Sequence, residues 1–186
     1  MSIYPPAVTG QDLYEASTTP KANLGTIAQF NTTDGVVTAR YVQWGNNASI
    51  AAGFVAAYML DIDVGAYVVD TAPLAGANAH GSPIAGVLCA SMQGTATSNA
   101  GTGYGWCAFL GPVTNAQLAA TLDSNVVSYV SVNSAAKLGL IASSSSATSA
   151  AGADHHIIGR VGATASNITR ASNSGASGAY VVLFWK

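Results

Sequence analysis

Charge is what this chain has least of. Six Lys or Arg and eight Asp or Glu make up 8% of its 186 residues, against about 25% in an ordinary soluble protein. No basic face is available to neutralise phosphates, so nucleic acid is not an expected partner. The same scarcity excludes a polybasic membrane-binding surface. Glutamate occurs once, as Glu15, and cysteine twice, as Cys89 and Cys107. The two cysteines lack CxxC spacing and have no companion His cluster. Long apolar runs are missing too: the most apolar stretch is interrupted by Gly53, Asp61, Asp63 and Gly65, so no membrane span is expected. The first residues show no basic segment leading into an apolar one, so no signal peptide is expected. Synthesis inside a cell follows as the expectation, with both thiols reduced and buried.

What the chain does have is apolar β-formers, small residues and turn formers. Length points to a single domain, 24–186, preceded by an extended arm, 1–23, that carries Pro5, Pro6 and Pro20 and little periodicity. Arms of this kind often lie on a neighbouring subunit. A surface so poor in charge also points to self-association or to cover by a larger body.

From Leu24 onward the pattern is β. "TIAQF" reads as a strand, and Asp34-Gly35 as a hairpin dipeptide. "VVTARYVQW" alternates, with Val37, Ala39 and Tyr41 on one face and Thr38, Arg40, Val42 and Trp44 on the other. Further strands are expected in "FVAAYML", "GAYVVD", "SPIAGVLCASM", "YGWCAFLG", "NVVSYVSV", "AKLGLIA", "HHIIGRVGAT" and "AYVVLFWK". "NAQLAATL" fits either the one helix of the chain or a strand edge followed by a loop. Many short strands separated by Gly, Asn and Ser turns predict an all-β fold, either a compact β-sandwich or a small β-barrel.

The chemical candidates are few. Asp154, His155 and His156 stand together, but neighbours on a strand face opposite ways, so the two histidines do not readily share a metal. His80 is the remaining histidine, and spacing nominates no third ligand. Serines are abundant, yet no GxSxG elbow occurs. Asp61 and Asp63 share a strand face and read as a solvent-facing edge rather than a carboxylate pair. "GTGYG", 101–105, has no following helix to make a phosphate cradle and reads as a loop in close contact with something. Asn31, Asn47 and Asn167 begin glycosylation-type triplets that such a composition supplies by chance. Trp44, Trp106 and Trp185 offer a sugar-stacking platform, although each lies in an alternating strand where a core role is the simpler reading. No catalytic, cofactor-binding or metal-binding residue is therefore nominated, and the chain is not expected to be an enzyme.

One stretch adds more. In residues 25–58, Gly25-Thr26, Asp34-Gly35, Arg40-Tyr41-Val42 and Ala51-Ala52-Gly53 follow each other in order. That order resembles the opening of the phage capsid cement, or head decoration, proteins. "YGWCAFLGPV", "SAAKLGLIAS" and the terminal "HHIIGRVGAT" and "AYVVLFWK" resemble the later strands of that family. The resemblance implies a compact β-domain, often a homotrimer, bound to the major capsid protein on the virion surface, with no catalytic residue or cofactor. The arm, 1–23, lies outside the resemblance. Two alternatives remain: a tail or fibre module that binds a receptor or glycan, and a stand-alone carbohydrate-binding β-sandwich.

Overall fold

The computed structural model describes residues 11–59, 65–71, 83–94, 103–117, 129–132, 138–141, 159–161 and 179–183. Among them every regular element is a strand, as the turn-rich, apolar sequence requires. The strands are β1 (Ile27–Thr32), β2 (Gly35–Trp44), β3 (Val55–Tyr58), β4 (Val68–Asp70), β5 (Ile84–Leu88), β6 (Tyr104–Ala116), β7 (Tyr129–Val132), β8 (Leu138–Ile141), β9 (Gly159–Val161) and β10 (Ala179–Leu183).

Pairing is organised by the two longest strands. β2 pairs in parallel with β4. β4 then pairs with β3, β3 with β5 and β5 with β6, and β6 returns to β2, all antiparallel. The pairings of these five strands close on themselves, which removes free edges within the ring. β1 is attached to β2 as a hairpin, and the run β10-β9-β7-β8 is attached to β6. β6 continues through Thr114, Asn115 and Ala116. The start of "NAQLAATL" is thus strand, and residues 118–122 lie outside the described ones.

The alternation of β2 places residues on two buried faces. Val37, Ala39 and Tyr41 join one core, with Val55, Ala57, Val87, Trp106 and Ala108. Val42 and Trp44 join another, with Ala56, Val69, Ala85, Leu88, Met92 and Cys107. This second core draws on all five ring strands. The first core is completed from outside the ring by Leu13, Ala28 of β1, and Val113 and Ala116 at the far end of β6. Phe30 and Tyr41 meet Trp106 edge-on, each with ring centroids 5.0 Å apart.

Glycines set two local departures from regular geometry. In the β3–β5 ladder Ala56 faces Gly86 and Ala57 faces Ile84, so Ala85 is an extra residue. Ala85 and Leu88, three apart, therefore reach the same core. Gly86 holds φ +138°, and a Cβ there would stand 2.1 Å from the Ala108 carbonyl oxygen, which no side chain tolerates. The β1–β2 hairpin also differs from the expected Asp34-Gly35 turn. Thr32 pairs with Gly35, so Thr33 and Asp34 form the loop. Gly35 starts β2 at φ +133°, where glycine is the residue without steric penalty.

Residues 11–24 run along the ring as a strap. Ser17 and Tyr104 exchange backbone hydrogen bonds of 2.9 and 2.8 Å, and the Lys21 amide donates to the Tyr41 hydroxyl at 3.0 Å. Leu13 is 2% exposed. Of the expected arm, 1–23, residues 11–23 are thus packed on the β-domain, while residues 1–10 lie outside the described ones. Close approach also explains Gly103 and Gly105 of "GTGYG". A Cβ on Gly103 would press on the Gln93 backbone at 3.0 Å, and one on Gly105 would meet Met92 Cε at 2.6 Å.

Candidate functional site

Three groups of polar residues break the apolar packing. The first surrounds Arg40. This residue follows the β2 alternation onto the face of Val42 and Trp44, near Tyr58 of β3 and Phe109 of β6. Its guanidinium carbon lies 5.5 Å from the ring centres of Tyr67 and Phe109 and 5.9 Å from that of Tyr58. Nη1 donates to the Tyr58 hydroxyl at 2.6 Å. Burial raises the Tyr58 hydroxyl pKa, and Arg40 pulls it back part of the way. Tyr67 reaches this position with φ +67°, and its ring occupies the space a Cβ on Gly25 would take, 2.4 Å away. A cation enclosed by three aromatic rings gains from their negative faces. This cluster was legible only as a lone Arg on an apolar strand face.

The second group is internal. Asp70 is buried, and both its carboxylate oxygens accept from one amide nitrogen: Asn46 Nδ2 stands 3.1 Å from Oδ1 and 3.0 Å from Oδ2. The Thr71 amide adds a bond of 2.6 Å. These donors hold the carboxylate where β4 ends and tie it to the turn after β2.

The third group lines a cleft of about 400 Å³ between the strap and the β1–β2 hairpin. Asp12 and Tyr14 come from the strap; Phe30, Asn31, Thr33 and Asp34 come from the hairpin. Tyr14 is 46% exposed. Burial raises its hydroxyl pKa, and the neighbouring Thr114 side chain pulls it back part of the way. The residues reach the cleft because the strap is pinned beside β6 and the hairpin turns at Thr33-Asp34.

Cys89 and Cys107 are free and buried. Burial pushes the Cys89 thiol up to about 12, and raises Cys107 well above the ordinary value, with Cys89 adding to it. Such thiols are protonated at neutral pH and poor nucleophiles.

Trp44 and Trp106, offered by sequence as a sugar platform, are 1% and 0% exposed and serve the two cores. Trp44 Nε1 donates to the Ala48 carbonyl at 2.8 Å. Glu15 is exposed on the strap. His80, Asp61, Asp63, Asp154, His155, His156, Asn167 and Trp185 lie outside the described residues. Among the described residues no group of three His, Cys, Asp or Glu converges as a metal site, and no helix is long and apolar enough to cross a membrane. Compared with protein-family models, curated proteins and solved structures, the chain finds no match.

Proposed function

We propose that the chain is a virion structural protein that binds an assembled phage head and reinforces it. The observation that carries this reading is the poverty of charged side chains, fourteen Lys, Arg, Asp and Glu in 186 residues. It is joined to a domain that spends its large side chains on two cores. A chain built this way suits a contact role, in which close-fitting neutral surface matters more than placed chemical groups. The ordered motifs in residues 25–58 point the same way: Gly25-Thr26 leads into β1, Arg40-Tyr41-Val42 lies in β2 and Ala51-Ala52-Gly53 precedes β3.

A head filled with DNA is strained at the junctions between its subunits. A small rigid domain bound across those junctions adds buried area without chemistry. The lattice repeats one site many times, so a symmetric oligomer that engages several sites at once holds firmly with modest affinity per copy. The partners in this reading are the major capsid protein and further copies of the chain, as a homotrimer. The role needs no cofactor.

Addition of the purified protein to undecorated heads tests the proposal. The expected result is saturable binding and a higher temperature of DNA release. Failure to bind heads, with recovery in tail fractions instead, would overturn it.

A further inference from the structure

We propose that the cleft between the strap and the β1–β2 hairpin binds a neutral saccharide unit. Its volume of about 400 Å³ is in the range of small-molecule sites, roughly 300–1,000 Å³, and suits one or two sugar rings. The inference goes beyond head decoration, and either can fail without the other.

The chemistry of the walls selects the ligand. Among the described residues that line the cleft are two carboxylates and no Lys or Arg, so an anionic ligand is disfavoured. Asp12 Oδ1 accepts from the Tyr14 amide at 3.3 Å, and Asp34 Oδ2 from the Thr33 hydroxyl at 3.3 Å. The second oxygen of each carboxylate has no hydrogen-bond partner among the described residues and remains a strong acceptor for hydroxyl donors. Asn31, exposed, adds a neutral amide able to donate as well as accept, and the exposed Thr33 hydroxyl, whose proton goes to Asp34, adds an acceptor. Two aromatic rings complete the set. Tyr14 lines the cleft together with Thr114, and Phe30 is held edge-on against Trp106. Their faces carry negative charge density and receive the slightly positive C–H face of a sugar ring. Hydroxyl acceptors beside aromatic faces are the pairing a pyranose requires. An alkylammonium ion would use the carboxylates, the rings and the side-chain oxygens of Asn31 and Thr33, but would leave the Asn31 amide N–H donors without an acceptor.

Ligand-observed NMR on the full chain tests this, with D-glucose, D-galactose, D-mannose and N-acetyl-D-glucosamine as probes and butylammonium as the cationic control. At least one sugar is expected to bind saturably. Tyr14→Ala and Asp34→Asn should each weaken it about tenfold at unchanged melting temperature. Asp34→Asn keeps the side-chain shape in the turn, so its effect isolates the carboxylate. Lys21→Ala, on the exposed part of the strap away from the cleft, should leave binding intact. The proposal is overturned if no sugar binds, if butylammonium alone binds, or if sugar binding survives both cleft variants.

Discussion

The two cores on opposite faces of β2 are built differently. The core around Trp44, Leu88 and Met92 takes a residue from every strand of the closed ring. The core around Tyr41 and Trp106 is closed by segments from outside the ring: the strap through Leu13, β1 through Ala28 and Phe30, and the far end of β6 through Val113 and Ala116. The first is thus built mainly by the ring, with Met92 beyond β5 and Ala16 and Ile50 packed against it from outside. The second exists only when the strap and hairpin are docked, and it is there that the exposed cleft forms. Stability and surface recognition meet on the same side of the sheet.

The largest effect expected from breaking that second core is at Trp106. It is fully buried and meets both Phe30 and Tyr41, so Trp106→Ala should cost about 3–5 kcal/mol. Chemical denaturation measures it; a loss under about 1 kcal/mol would mean that this core is dispensable. Leu13→Ala comes next, at about 2–5 kcal/mol, because Leu13 is 2% exposed. Its loss should appear as a lower denaturation midpoint at every protein concentration. A midpoint that falls only where the protein self-associates would instead make the strap an intersubunit device.

Tyr41→Phe is a finer probe. It removes the acceptor of the Lys21 amide and keeps the ring, so about 0.5–1.5 kcal/mol should be lost. A neutral outcome would show that the amide is satisfied by water. The smallest effect at neutral pH concerns the thiols. The folded chain keeps a proton on Cys89 up to about pH 12, whereas an unfolded cysteine gives it up near its ordinary pKa, about 8.5. The resulting stability is complete below the unfolded pKa and is lost as pH climbs toward the folded one. Cys89→Ala should therefore flatten the alkaline limb of a stability–pH curve. In the parent chain, alkylation of both thiols should be slow under native conditions and complete after denaturation. Protection that persists in denaturant until a reductant is added would instead mean a disulfide.

The parts of this architecture legible in the sequence are those encoded by period-two alternation. The facing sets of β2 follow from spacing alone, and so does the opposition of Trp106 and Ala108 to Cys107 in β6. The bulge at Gly86 was not legible, because one inserted residue shifts every later side chain without changing composition. The parallel pairing of β2 with β4 is a long-range event that no local pattern records. The strap escaped for a related reason: Leu13 is a single anchor in a segment with no repeat, so its burial depends on the surface it meets. The cleft has the same origin. Asp12 and Asp34 are far apart in the chain and come together only after the strap docks.

Electron microscopy of intact particles containing this chain tests the central functional proposal most directly. The expected result is density the size of this β-domain on the outside of the head, astride the junctions between major capsid subunits and clustered in threes. Density for the domain on the tail or fibres, with bare junctions on the head, would contradict it.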